Sequence, residues 1–240
     1  MYDSPAVAPA VALVRRICQT CARSLPVTGA AISVMTAGGH RGVVSATDET
    51  AALLEDAQFT VGEGPSVDAF ATGRAVLVPD LEASGTPNAG GWPAFRDSAR
   101  RLGVRAVFAF PLHLGAASLG ALTTYHVEPG PLDGPHLARA VRLSDAAAVA
   151  VLDMIVGSRP DGDGSQPPAV GDVDARFYRV EIYQAAGMLT VQLGVAIEVA
   201  MMRLRSHAFA AGVPIGDVAR DIVRHKLRLE ADTDGTADKA

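Results

Sequence analysis

The sequence predicts an α+β chain: an antiparallel sheet with flanking helices, followed by an all-α bundle of three short helices. Three observations carry that expectation. Two pairs of β-prone apolar runs, within 29–47 and 104–130, fold back at glycine-containing turns, as hairpins do. Helical patterns are grouped around these hairpins, with no strand–helix alternation of a parallel sheet. The stretch "GSRPDGDGSQPPAVGD" (157–172) has almost nothing to bury and separates the two halves. The expected divisions are an α+β domain at 5–156, a flexible linker at 157–173, a helical domain at 174–232 and a disordered tail at 233–240.

Each element follows from local pattern. Residues 9–25 place Val11, Val14, Ile17, Cys18, Cys21 and Leu25 at helical spacing. "GAAISVMT" and "GVVSAT" read as strands around the turn "AGGHR". "DETAALLEDAQF" reads as a helix whose start Asp48 can cap. In "TVGEGPSVDAFATGRAVLVPDL", Pro65 opens a helical turn that ends near Gly73, and "AVLVPD" follows as a strand. "WPAFRDSARRLG" is a helix closed by Gly103, the next run is a hairpin turning at Gly115, and a long helix from Leu132 to about Val156 completes the domain.

The helical domain has its own punctuation. A first helix (174–193) carries Phe177, Val180, Tyr183, Gln184, Met188 and Val191 on recurring positions and ends at Gly194, with Val195 behind it. A second (197–211) is expected to bury Ile197, Ala200, Met201, Leu204, Ala208 and Ala211 and ends at Gly212. A third (about 215–229) is amphipathic through Ile215, Val218, Ala219, Ile222, Val223 and Leu227, with Arg220, Arg224 and Arg228 as a basic stripe beside that face. Gly187 weakens its helix by about 1 kcal/mol relative to Ala, so its missing side chain should matter, either for tight packing within the bundle or for a smooth binding surface.

Hydrophobic residues make up 49% of the 240-residue chain, enough for a buried core, and the formal net charge is -5. That balance excludes a protein that coats nucleic acid with its whole surface. The charge is uneven, however: Arg203 to Arg228 holds six basic residues against two aspartates, whereas residues 1–173 hold 12 arginines against 17 acidic residues. A locally basic end suggests a confined anionic partner, although such a stripe can also be a solvated face. No apolar run reaches the roughly 20 residues of a membrane span, and the N-terminus has no signal-peptide order, so no membrane partner and a cytoplasmic location are expected.

The chemistry-bearing candidates are few. Cys18 and Cys21 form one CxxC inside a helical pattern, without the second ligand pair a zinc site wants, and read as ordinary buried thiols. His113 and His126 on one hairpin could ligate a metal or haem, but lone strand histidines read better as core-edge or surface residues. Glu63, Asp68 and Asp80 lie nearest the Gly-rich turn without an evident pairing for acid–base work; Glu63 reads as a turn residue or a charge at a helix N-terminus. "GEGP" lacks the length and Lys-Ser/Thr ending of a phosphate loop, and Ser66 lacks the second glycine of a nucleophile elbow. No catalytic residue, metal or cofactor is expected. A ligand pocket, if formed, should be lined by Trp92, Phe108, Phe110, Leu112 and Leu122, which would suit an apolar or aromatic ligand.

Two resemblances extend this reading. "YQAAGMLTVQLGV" together with "EVAMMRLRSHAFAAGVPIGDVARDIV" resembles the ANTAR domain, a three-helix RNA-binding module of bacterial transcription antiterminators. Ala185, Gly187, Met188 and Leu189 match its first helix, Ala200, Leu204, Arg205 and Ala208 its second, and Val218, Ala219, Ile222 and Val223 its third. Ala186 stands where that family usually has Lys, Thr190 where it has Met, and Ala196 where a capping Ser or Thr is common. The first half resembles a GAF domain, through its element order and "VGEGPSVDAFATGRAVLVPDL"; related regulators often carry Cys where Ser66 stands.

The resemblance implies an RNA-binding antitermination regulator with a sensory domain, acting on hairpin loops in nascent transcripts under a small-molecule or redox signal. It implies RNA and an unknown small molecule as partners, and a homodimer. Ala186, Gly187, Arg203, Arg205, His207, Arg220 and Arg224 would form the RNA surface, with His207 and Phe209 able to stack a base, although Phe209 could as easily complete the bundle core. The alternative is a sensor whose helical bundle docks a protein or dimerises.

Overall fold

Five antiparallel strands form one sheet in the order β2-β1-β5-β4-β3. They are β1 (Gly29–Thr36), β2 (Gly39–Ala46), β3 (Val76–Val78), β4 (Ala106–Leu114) and β5 (Ala117–His126). The computed structural model describes residues 7–36, 39–83, 91–157, 180–213 and 215–229. The expected linker, apart from Gly157 at the end of a helix, lies outside them, as do the expected tail, residues 37–38 of the first turn and residues 174–179. The chain divides into two units, Met1–Tyr178 and Arg179–Ala240.

In the first unit the strand register decides which side chains share a face. Ile32 pairs with Leu122 and Leu122 with Phe110, and all three point to one side. Helices α1 (Val7–Ser24) and α5 (Gly134–Gly157) cover that side. Val14, Ile17, Cys18 and Cys21 of α1 and Ala140, Ala147, Ala148, Val151 and Met154 of α5 bury there with Phe108, Phe110 and Leu112. Alanines on α5 let its backbone come close to the sheet, and the large strand side chains fill the space between.

The other side carries α2 (Glu49–Val61), α3 (Pro65–Thr72) and α4 (Pro93–Arg101) over a smaller core of Ala31, Val43, Leu54, Val78, Trp92, Phe95, Val107 and Tyr125. Asp48 caps α2 as expected: its Oδ1 accepts from the Ala51 amide at 2.9 Å and from the Tyr125 hydroxyl at 2.8 Å, which ties the helix start to the sheet. Gly73 and Gly103 end α3 and α4 with φ of 67° and 71°. At Gly103 the Schellman pair, Gly103 N to Arg100 O and Val104 N to Ala99 O, satisfies the last carbonyls.

The second unit is three helices, α6 (Val180–Leu193), α7 (Ile197–Ala211) and α8 (Ile215–Val223), with α6 and α7 meeting at 110°. The core holds Ile182, Ala185, Ala186 and Leu189 from α6, Ala200, Met201, Leu204 and Ala208 from α7, and Ile215, Val218, Ala219 and Ile222 from α8. Three expectations need correction. Ile197 and Ala211, at the two ends of α7, are exposed, because the terminal turns of the helix extend past the bundle core. The buried stripe of α6 is rotated by about one residue, so Tyr183 and Val191 are exposed at 39% and 85%. Alanine-rich sequence leaves both faces of α6 apolar, and volume decides: Ala185 and Ala186 permit the closest approach.

The third helix also ends early. The Lys226 amide donates to the Asp221 carbonyl at 2.8 Å and the His225 amide to Ile222 at 2.9 Å, a Schellman closure with His225 at φ 56° in the glycine position. Arg228 therefore lies beyond the helix, and the stripe of three arginines is shortened to Arg220 and the first turn after it.

Candidate functional site

The α2–α3 turn organises the sheet face opposite α1 and α5. Gln58 and Glu55 are both fully buried on α2, and the Gln58 Nε2 donates to the Glu55 Oε1 at 2.7 Å. The Gln58 Oε1 accepts from the Ser66 amide at 2.7 Å and so caps α3 from another helix. Gly64 makes this possible: at φ 136° it lies against Gln58, where a Cβ would meet Oε1 at 2.5 Å.

Glu63, between two glycines, serves the next helix. Its Oε1 accepts from the amides of Ala94 and Phe95, at the start of α4. Trp92 precedes α4 in a left-handed conformation, φ 61°, with the Asp68 carboxylate of α3 near its side chain. Burial raises the pKa of Asp68; the Trp92 side chain opposes that shift, and the negative charge of Glu63 adds to it. Glu63 thus clasps α4 to the α2–α3 turn, and its carboxylate is committed to that cap.

Three hydroxyls behind this clasp are buried without partners: Ser33 on β1, Thr123 on β5 and Ser66 on α3. Leaving such a group unsatisfied costs about 1–3 kcal/mol. The sequence reading missed them; the visible signal is a small hydroxyl residue inside each of the apolar runs "AISV" and "ALTTY".

The expected pocket lining is divided by the sheet. Phe108, Phe110, Leu112 and Leu122 point into the core under α1 and α5, whereas Trp92 lies with α4 on the opposite face. They cannot line one pocket, because successive strand residues alternate sides and the large aromatics of β4 all share one parity. A shallow depression of about 380 Å³ lies between the residues after β3 and α4, lined by Leu81, Glu82, Arg96, Asp97, Arg100 and Val104.

The remaining candidates are held by local chemistry. Both thiols are fully buried, and burial pushes Cys18 and Cys21 up to about 12. The Cys18 thiol also donates to the Ala30 carbonyl at 3.1 Å. His113 Nδ1 lies 3.3 Å from Ser118 Oγ, and His126 Nδ1 accepts from the Glu128 amide at 3.0 Å. Among the described residues no cluster of three or more His, Cys, Asp or Glu could hold a metal. Nor is any single helix among them long and apolar enough to cross a membrane.

In the second unit the predicted RNA residues scatter in exposure. Ala186 is fully buried and presents no surface, which removes it from any contact with a partner. Gly187 is half-buried, and a Cβ added there would meet nothing within 4 Å, so it is not a point of close helix approach. Arg205 is half-buried, and burial lowers its pKa. Arg203 and His207 are half-buried on α7. Arg220 pairs with Asp217 at 2.8 Å and Glu181 at 3.4 Å, whereas Arg224 is exposed. The structure brings none of these cations into a convergent pocket; they lie along two helices.

A five-stranded antiparallel sheet with a helix pair on one face and short helices on the other defines a small domain of α+β class. The family model for the GAF domain matches residues 8–152, more than half of the chain, and the chain belongs to that family. The match covers the sheet unit and does not extend to the three helices. No protein of curated function matches the chain.

The solved structures it is similar to are distant. A GAF domain/HD domain protein from Geobacter sulfurreducens shares 13% identity at a TM-score of 0.49, over 65% of this chain and 99% of that one. A type II free methionine-R-sulfoxide reductase from Thermoplasma acidophilum shares 13% at 0.47, over 61% and 95%. The blue-light-absorbing form of the PixJ GAF domain from Thermosynechococcus elongatus shares 14% at 0.44, over 60% and 85%.

Proposed function

We propose that the chain is a non-catalytic regulator whose GAF unit senses a small molecule and whose three-helix unit binds RNA. In this reading it engages hairpin loops of nascent transcripts as a homodimer, in the manner of ANTAR antiterminators, and favours the antiterminator over the terminator. Signal sensing follows from the GAF family itself. The thiols, buried and pushed up to about 12, weigh against a redox input through Cys18 and Cys21.

The observation that supports RNA binding is the placement of charge at the end of α8. Arg224, Lys226 and Arg228 are exposed there, whereas Arg220 is occupied by Asp217 and Glu181. Exposed cations of this kind engage phosphates and release counterions, so binding must weaken steeply with salt. The test is a titration of the full chain against an RNA carrying two hairpins with matched loops, at two salt concentrations. Salt-sensitive binding that falls at least tenfold in Arg224→Glu supports the reading; the absence of binding at low salt overturns it.

One observation favours a second reading, a protein-docking or dimerisation module. Val191, Met202 and Phe209 are exposed at 85%, 57% and 55%, which is unusual for large apolar side chains in so small a unit. Association through such exposed apolar side chains would be insensitive to salt, and the same titration, followed by the oligomeric state, separates the two.

A further inference from the structure

Helix α7 is apolar on the side that faces solvent as well as on the side that faces the bundle. Ala200, Met201, Leu204 and Ala208 bury towards α6 and α8, whereas Met202 and Phe209, on the opposite side, are exposed at 57% and 55%. Their seven-residue spacing keeps them on one stripe, two turns apart, with half-buried Val199 and exposed Ser206 beside them. A solvated helix face is normally polar, whereas aromatic residues and Met are the side chains enriched where proteins meet.

The charges beside the stripe select its occupant. Exposed Glu198 and half-buried Arg205 stand on one flank of it, seven residues apart and equally far from the level between Met201 and Met202. That order is complementary to itself when reversed. Laid antiparallel on a second copy, Glu198 comes level with Arg205 of that copy and Arg205 with its Glu198, while Met202 meets Met202 near the two-fold axis. Phe209 then reaches the start of the second helix, where Ile197 is exposed at 41%. In a parallel pair Glu198 would be level with Glu198 and Arg205 with Arg205. A partner of one sign, RNA included, would meet a like charge on this flank and gain nothing from the apolar stripe.

We propose that the outer side of α7 is a two-fold, antiparallel interface with a second copy of this chain, centred on Met202 and flanked at each end by Glu198 of one copy paired with Arg205 of the other. The assignment rests on the homodimer of the proposed function and gives that homodimer its contact surface. Met202 and Phe209 supply the apolar seam, and the two ion pairs set its direction. Arg205 then serves the second copy instead of RNA, and the exposed Arg224, Lys226 and Arg228 after α8 are left for the phosphates.

The test is sedimentation of the full chain over a range of concentrations. The expected result is a dimer whose Kd rises about tenfold or more in Glu198→Arg and in Met202→Lys, which put a like charge or a buried ammonium into the seam. Arg205→Glu behaves like Glu198→Arg, and mixing these two variants restores the dimer, because each chain then meets charges of opposite sign. Circular dichroism and thermal melting show which variants are folded. Glu198→Arg and Met202→Lys alter only exposed side chains, so they decide the matter even where Arg205→Glu does not fold. A dimer of unchanged Kd in both would overturn this interface and leave the homodimer reading intact. Two weakened single variants, both folded, that fail to associate when mixed would overturn the antiparallel pairing and the proposal with it. A monomer at every concentration would overturn the interface and the homodimer together.

Discussion

Glu63 caps a helix that begins far from it in sequence: its Oε1 accepts a hydrogen bond from the Ala94 amide at 2.8 Å, across 31 residues. The Phe95 amide shares the same oxygen at 3.2 Å. Pro93 at the first helical position has no N–H, so two of the three orphan donors of α4 are thus satisfied by a side chain from the α2–α3 turn; Trp92, the residue at the N-cap position, makes no side-chain cap of its own. Trp92 is held there at φ 61°, a conformation that costs a non-glycine residue about 1–2 kcal/mol.

Glu63→Ala should therefore lower stability by about 1 kcal/mol, the usual worth of an N-cap side chain. Glu63→Gln, which keeps an acceptor oxygen, should lose less. Urea unfolding of the full chain, followed by Trp92 emission, measures both. Equal midpoints for the wild type and Glu63→Ala would mean that water replaces the carboxylate and that the long-range cap contributes nothing.

The buried thiols predict how stability depends on alkaline pH. Cys18 and Cys21 titrate near 9 when the chain is unfolded and at about 12 in the fold, because burial disfavours the thiolate; for Cys18 the neighbouring thiol adds to the effect. Tyr125 moves in the same direction, to about 12, through burial and the Asp48 carboxylate that accepts its hydrogen bond. Above pH 9 the unfolded chain has released thiol protons that the native state still holds. Stability is then fully present below about 9 and falls as pH rises towards 12. Midpoints of urea unfolding at pH 8, 9 and 10 should decline, and the decline should be shallower in Cys18→Ala/Cys21→Ala. Rapid alkylation of native thiols at pH 8 would contradict the burial on which this rests.

How legible the fold was depended on whether the deciding contact was local. Asp48 is three residues from the amide it caps, and Gly103 and Gly212 end their helices through neighbours within five residues, so pattern alone locates them. The pocket failed for a different reason. Along "AVFAFPLHL" both parities are apolar, and alternation divides the residues into two faces without saying which helices cover which. The bulky Phe108 and Phe110 drew the pocket to their side, whereas α1 and α5 fill that side completely. Glu63 was legible as a helix N-terminal charge, but its helix lies beyond a segment no local rule spans. In the second unit the early end of α8 depends on His225 adopting a conformation normally given to glycine, which sequence chemistry does not announce.

Gly187 offers a prediction that separates packing from binding. If its absent side chain served a close helix contact, replacing it would force α6 away from its neighbours. A Cβ at Gly187 meets nothing within 4 Å, so that contact does not exist among the described residues, and the tight approach falls to Ala185 and Ala186, both fully buried. Gly187→Ala should consequently stabilise the second unit, by roughly 0.5–1 kcal/mol, through the entropy that glycine loses in a helix interior. Thermal unfolding by circular dichroism measures this directly. A residue retained against such a gain is informative: on the RNA reading its open backbone lies where bases approach, and Gly187→Ala should weaken hairpin binding several-fold at unchanged salt slope, since no phosphate contact is removed. Stabilisation with unaltered affinity would place Gly187 outside the interface and move the RNA surface to the exposed end of α8. Destabilisation would mean that α6 meets a partner face at Gly187 in the assembled protein, as a homodimer built on Tyr183 and Val191 would require.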